Sequence, residues 1–358
     1  MSAPTLGNVL VTGGAGFIGS ALSQRLAVRA SRWVVLDNLH PQVHPTAVRP
    51  ASLHESAELV VGDVTDPAAW SALLADFRPD VVVHLAAETG TAQSLHYATR
   101  HAEVNVVGTT TMLDAFGSMN HVPRQFVLSG SRAVYGEGSW KKSSGELFSP
   151  GQRTHAQLQE AHWDFPDAVP LPSQALTTWP SPTSVYGATK LAQEHILTAW
   201  TGSHDSALTV LRFQNVYGPG QSLTNPYTGI VSLFSQLAMR GESIPVYEDG
   251  LITRDFVYID DVADSLATVL VTGPTGDGPS TFDVGSGIGT TILELASLIA
   301  DFHGAPQPHI TGAFRDGDVR HASTDIGRTL ENLDWAPQWS VERGISALQS
   351  WIAEQQNS

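Results

Sequence analysis

Cysteine is absent from the 358 residues, which removes disulfides, thiolate metal sites, iron–sulfur clusters and any cysteine nucleophile or acid/base group. Charge is scarce, at 15% of residues, and lopsided: 19 Lys+Arg against 35 Asp+Glu give a net −16. A polyanion such as nucleic acid is therefore not an expected partner. No apolar run approaches the roughly 18 residues needed to cross a bilayer, and the opening MSAPTLGNVLVTGG lacks a basic segment leading into an apolar core. The expectation is a cytoplasmic protein with no membrane partner. Close ligand spacings such as HExxH are also missing among the 14 histidines, so no metal site is expected. What is present is 42% hydrophobic residues, enough for a sizeable core, and a length that suggests two lobes at roughly 100–200 residues per domain.

The first half alternates strand-like runs with amphipathic stretches: Val9–Thr12, Trp33–Asp37, Leu59–Asp63, Val81–Ala86 and Gln125–Ser129. That rhythm predicts an α/β fold, a Rossmann-type doubly wound parallel sheet. The near-continuous apolar run Val81–Ala86 suits a central strand covered on both faces. Residues 139–183 break the rhythm with Ser, Pro, Gln and His and read as an insertion or lid, with a short helix near Thr154–Ala161. Its Trp140, Trp163, Trp179 and Phe165 are expected to pack it down. From Tyr217 on, helices over Thr228–Arg240, Ile292–Phe302 and Val341–Gln355 and short strands predict a smaller α/β lobe at the carboxyl edge of the sheet. The expected division is 1–216 for the nucleotide-binding domain, with 256–285 rejoining it, and 217–255 with 286–358 for the lobe.

Val9–Thr12 runs into Gly13-Gly14-Ala15-Gly16-Phe17-Ile18-Gly19-Ser20 and then a helical pattern. Glycines at 13, 16 and 19 allow a tight turn, close backbone approach to a pyrophosphate, and close packing of helix on strand. Asp37 ends the second strand about 20 residues after the turn, where a carboxylate accepts from ribose hydroxyls and repels a 2′-phosphate. NAD rather than NADP is the expected cofactor. Asp63, ending the next strand, is placed to reach the adenine amino group.

Tyr186 and Lys190 stand four apart in SVYGATK, on a segment that continues helically. This spacing puts phenol and ammonium on one helix face, where a neighbouring cation favours the phenolate as a base. The glycine turn, Asp37, Gly62-Asp63-Val64, His84-Leu85-Ala86-Ala87, Asn105 in NVVGT, Ser131 before Val134-Tyr135-Gly136, the Tyr186/Lys190 pair and RFQNVYGP at 212–219 together resemble an extended short-chain dehydrogenase/reductase of the NAD-dependent epimerase/dehydratase family. The resemblance implies a nucleotide-sugar substrate, a tightly held NAD and a homodimer built on a helix bundle. It implies Ser131 as the hydroxyl partner of the sugar, Tyr186 as base, and Lys190 on the nicotinamide ribose. Phe17, Ile18, Asn38, Val64, Leu85, Ala86, Ala87, Asn105, Ser129 and Val216 are implied to line the cofactor. Arg254, Arg315 and Asn215 match the family's diphosphate contacts, with Asp318 and Arg132 also at the substrate and Tyr247 at the nucleobase. Arg320 divides evenly between such a role and salt bridging. Glu88 and Thr89 follow a strand's carboxyl end and are candidates for the sugar or nicotinamide, with Glu88 equally readable as a loop-stabilising carboxylate.

The family's dehydratases place an acidic pair after the Ser/Thr, whereas this chain has Arg132 and Ala133. Alanine cannot move a proton, so dehydration by that route is disfavoured. Relatives that invert C-3 or C-5 use cysteine, which is missing. C-4 epimerisation through a transient 4-keto sugar lacks no part. The stretches at 84–94, 131–138 and 213–230 are similar to the dTDP-L-rhamnose 4-epimerase group of the family, although that group carries a cysteine-bearing insertion where this chain has 139–183. A sugar-nucleotide 4-ketoreductase or dehydrogenase, or a non-catalytic NAD sensor, remain the competing readings.

Overall fold

The computed structural model describes residues 6–222, 229–273 and 278–356. Five strands of the first half, β1 (Asn8–Thr12), β2 (Arg32–Asp37), β3 (Glu58–Val61), β4 (Val81–His84) and β5 (Gln125–Ser131), join Ala207–Phe213 and Ser280–Val284 in one seven-stranded sheet. The order is Ser280–Val284, Ala207–Phe213, β5, β4, β1, β2, β3, and every pair is parallel. The sequence order reverses between β1 and β4, so the crevice of a doubly wound sheet opens at their carboxyl ends.

Successive residues of each strand enter opposite cores, as the two-residue pleat requires. Val9, Val11, Val35, Val81 and Val83 belong to the core under helices α1 (Phe17–Leu26) and Ile259–Thr272. Leu10, Val34, Leu36, Val82 and Leu128 belong to the one under Pro67–Leu74, Gly108–Ser118 and Val185–Gly202. The expected central run is therefore β4, shorter at its end than the apolar stretch because Leu85–Ala87 bend away as cleft wall. The strand β5 instead continues past Ser129 through Gly130, pairing Ser131 with Phe213. Within 256–285, the strand Ser280–Val284 pairs in parallel with Ala207–Phe213.

The smaller lobe is built on Thr253–Tyr258, which pairs in parallel with Asn215–Tyr217 and His321–Ala322 and antiparallel with Gly289–Thr291. Helices Ile230–Met239, Ile292–His303 and Val341–Gln356 pack around it through Phe234, Leu295, Ile299, Ile345 and Leu348. The predicted helix beginning at Thr228 has its first residue outside the described residues. Ile292–His303 shows why such helices start and stop where they do: Thr291 and Glu294 form a reciprocal cap, and Gly304 ends it with φ 62°.

The 139–183 insertion has the expected short helix and, in addition, strands that were not expected. Trp140–Lys142, Leu147–Phe148 and Ala168–Pro170 form a small antiparallel sheet, with a helix at His155–Gln159. Trp140 is buried edge-on against Phe165, 4.9 Å between ring centres. Trp179 contradicts the packing expectation, being 79% exposed. What pins the insertion is charge that composition hides. The buried Arg153 donates to both oxygens of the buried Glu248, each at 2.9 Å, and stands 3.4 Å from Glu137. Arg320 donates to Asp249 in a fork (2.7 and 2.8 Å), to Glu248 (3.1 Å) and to Asp164 of the insertion (2.9 Å). Arg320 is thus a buried structural hub. Burial pushes Glu137 up to about 7 against the pull of Arg153.

Removing one partner of a buried ion pair strands the other charge. Arg153→Met is expected to cost about 3–5 kcal/mol of stability, read from the midpoint and slope of urea unfolding followed by tryptophan fluorescence.

Candidate active site

A cleft of about 1030 Å³ runs along the carboxyl ends of the strands. Its wall carries Gly13, Gly16, Phe17, Ile18 and Gly19 from the first turn, Asp37, Asn38, Asp63 and Val64 from the next two strand ends, and Leu85, Ala86, Ala87, Glu88 and Thr89 after β4. It also carries Ser129, Ser131, Arg132, Tyr186, Asn215 and Val216. Most of the residues expected at the cofactor therefore converge, though they come from segments more than 200 residues apart.

The glycine turn is shaped by close approach. Gly13 has φ +67°, and a Cβ there would lie 2.6 Å from the Ala86 nitrogen; one on Gly19 would lie 2.4 Å from the Gly14 Cα. A Cβ on Gly16 would meet nothing nearer than the Gly13 carbonyl at 3.3 Å, so the space above it is open to a ligand. Gly16 precedes the first residue of α1, whose unpaired N–H groups face that space. Asp37 is 8% exposed on the cleft wall. Its oxygens accept from the Ala15 and Leu39 nitrogens (3.0 and 2.9 Å) and keep lone pairs for a ligand. A glycine cradle, a helix N-terminus and a fixed carboxylate are the donor and acceptor set a dinucleotide requires, so these residues fit NAD.

At the other end, Ser184 caps the helix Val185–Gly202 by accepting from Gly187 N at 3.0 Å. Gly187 lets that helix close on the turn Arg132–Tyr135, since a Cβ would sit 2.4 Å from the Ala133 carbonyl. This contact brings Tyr186 to Ser131. Burial raises the Tyr186 phenol, opposed by the Ser131 hydrogen bond and the Arg132 charge. The nearby cation is thus Arg132, whose Nε donates to Asn215 Oδ1 at 3.1 Å. Burial and Arg254 push Arg132 down to about 9.

Lys190 differs from the expectation. It is 1% exposed, stands behind the cleft wall and donates to Gln193 Oε1 at 2.6 Å, with burial lowering it to about 8 against the pull of Glu194. Gln193 donates to Thr109 (2.9 Å), which meets His84 Nε2 at 3.0 Å, and His84 Nδ1 meets Thr12 Oγ1 at 2.7 Å. Asn105 also departs from the wall. It lies on a π-helical turn, Glu103–Val107, accepts from Glu88 N (2.7 Å) and donates to Glu88 O and to Thr189 (both 3.0 Å). Its role in this geometry is to hold the loop after β4 to the helix of Tyr186. Glu88 itself spends its carboxylate on Arg100 (2.6 Å) and Gln93 (3.4 Å), which is the loop-stabilising alternative. Arg254, Arg315, Tyr247 and Asp318 sit in the smaller lobe beyond the cleft wall. Arg254 donates to Asp318 at 2.7 Å, and Arg315 stacks over the Tyr247 ring at 5.1 Å. Sequence reasoning quoted His84 and Thr109 only within motifs, without a role, and missed Gln193, which lies at a helical position that reads as ordinary core.

Fold and site together define a short-chain dehydrogenase/reductase with an NAD cleft, and the chain belongs to the NAD-dependent epimerase/dehydratase family, whose model matches residues 9–285. It is an enzyme of that family with NAD as its cofactor. Over 347 residues it is 61% identical to dTDP-L-rhamnose 4-epimerase of Burkholderia thailandensis, covering 97% of this chain and 95% of that one. The structure of UDP-glucose 4-epimerase from Thermotoga maritima with UDP-glucose superposes with a TM-score of 0.80 at 29% identity, covering 98% and 99% of the two chains. That of Thermus thermophilus UDP-glucose 4-epimerase with NAD gives 0.76 at 27% identity, covering 97% and 99%.

Two outcomes are expected. Gly16→Val puts a side chain into the open space above the turn and should leave the fold but empty the cleft, read as loss of bound NAD from purified protein by absorbance and chromatography. His84 is held neutral, burial lowering it to about 3 with Lys190 adding to the effect. The unfolded chain therefore binds the extra proton first as pH falls below about 6.5, and folding loses about 1.4 kcal/mol per pH unit down to the folded value. Wild type should lose that much more per unit than His84→Gln between pH 6 and 4 in urea titrations.

Proposed function

We propose that the chain epimerises the C-4 hydroxyl of a nucleotide-activated sugar, with dTDP-L-rhamnose as the substrate. The carrying observation is that Ser131 and Tyr186 meet on the cleft wall while the neighbouring wall residue is Ala133, which has no proton to give for a dehydration. NAD supplies a hydride acceptor that returns the hydride to the opposite face of the same carbon, so no net redox change occurs. Tyr186 takes the O-4 proton and gives it back, and Ser131 hydrogen-bonds the same oxygen and orients it. Arg132 offsets the burial that otherwise raises the phenol. Asp37 holds the adenosine ribose and the glycine turn the pyrophosphate. Lys190 reaches the nicotinamide ribose by exchanging its Gln193 contact. Asn215, Arg254 and Arg315 take the substrate diphosphate, with Asp318 orienting Arg254 and Tyr247 facing the base. The family relationship and the 61% identity support the sugar assignment. The assembly is a homodimer in the cytoplasm, and the exposed Leu95 and Tyr97 on the helical segments after β4 support that assembly.

Proton NMR of dTDP-L-rhamnose with enzyme and NAD far below substrate concentration tests this. Changed H-4 couplings, with conversion well beyond the NAD supplied, are expected. Conversion that stops at the NAD supplied would make it a dehydrogenase, and no conversion of any nucleotide sugar would favour a sensor. Tyr186→Phe should lower kcat by about 10²–10⁴-fold with little change in binding of dTDP.

A further inference from the structure

The cleft has two rims, and they are tied to each other. One rim is the loop after β2, with His40 and Gln42; the other is the segment after β4, with Glu88, Gln93 and Arg100. From the second rim, Arg100 Nε donates to Glu88 Oε2 at 2.6 Å, while its Nη2 crosses to Gln42 Oε1 at 3.2 Å and lies 3.3 Å from His40 Nε2. Gln42 and Gln93 exchange a second pair of bonds across the gap, at 2.9 and 3.1 Å. His40, Gln42, Glu88 and Arg100 line the same cleft as Asp37 and Tyr186. The far rim is itself immobilised, because Asn105 holds both the N–H and the carbonyl of Glu88. The near rim is fixed at its root, where Asp37 accepts from Leu39 N at 2.9 Å.

We propose that Arg100 sets the reaction specificity of the enzyme by fastening this strap over the dinucleotide, so that the oxidised sugar and the reduced cofactor stay together between the two hydride transfers. The inference rests on the epimerase reading. In the forward half, two electrons and one proton leave C-4 as a hydride to NAD, and the hydroxyl proton passes to Tyr186; the second half returns both. If the cofactor escapes in between, each escape yields one NADH and one 4-keto sugar, and the enzyme behaves as a dehydrogenase. Escape requires the rims to part, which breaks a charge-assisted bond network. Arg100 is a positioning residue, since it acts through the rims.

The test is exchange of labelled NAD from the holoenzyme. Protein loaded with labelled NAD is diluted into excess unlabelled NAD, and retained label is followed by gel filtration, with no sugar present. Arg100→Met is expected to release label on the order of 10–100-fold faster than wild type, with Arg100→Lys in between. With sugar nucleotide, the same variant should accumulate free NADH and 4-keto sugar in equal amounts. Gln42→Met removes the crossing bonds to Arg100 and Gln93, leaves the Arg100–Glu88 pair and the Arg100–His40 contact in place, and should also speed release, which covers the case in which Arg100→Met fails to fold. Release as slow as wild type in a folded Arg100→Met, or in Gln42→Met, overturns the proposal. Faster release in the variants, from a wild type that epimerises no sugar, would overturn the reaction assignment and leave the strap as a clasp on the cofactor alone.

Discussion

The structure depends on one close approach, that of the backbone at Gly13 to the backbone at Ala86. Parallel β1 and β4 are neighbours in the sheet but lie on either side of the point where strand order reverses. Their following loops must therefore part to opposite sides, and a crevice opens between them. A side chain at residue 13 would fill that crevice at its narrowest point. With hydrogen alone in that place, α1 can present its N-terminus to the crevice and the loop after β4 can form the facing wall.

The second half of the site repeats this logic with different residues. Gly187 allows a helix end to press against the Arg132–Tyr135 turn, and that contact, rather than the four-residue spacing, is what brings Tyr186 to Ser131. Asn105 then links the wall after β4 to the same helix through Thr189. Phosphate cradle, loop and base are one mechanically continuous unit. Behind its wall runs the polar chain from Lys190 to Thr12, an arrangement that stays well defined only when each member is satisfied.

Local pattern carried much of this in the primary structure. Strand–glycine–helix order, Asp37 and the Tyr186/Lys190 spacing are short-range signals, and short-range signals survive in a string of letters. Ser131 and Tyr186 were legible as a pair only through the family resemblance, because the strand and helix that bring them together are 55 positions apart. What escaped notice was set by tertiary pairing. Arg153, Glu137 and Glu248 look like surface charge until folding buries them, and the insertion's two- and three-residue strands are too short to show a period. Glu88 could not be decided from its position after β4, because the answer lay in Arg100, which arrives from a helix.

The strand Trp140–Lys142 has a practical consequence. The chain contains only three lysines: Lys190 is sealed in behind Tyr186, while Lys141 and Lys142 are neighbours on this strand of the insertion, with Lys141 exposed. Lysine-directed coupling to a dye, a bead or a cross-linker is thereby confined to one small β-sheet outside the cleft wall. A preparation modified in that way carries its label at a single face, so every molecule on a coated surface would be held in much the same orientation.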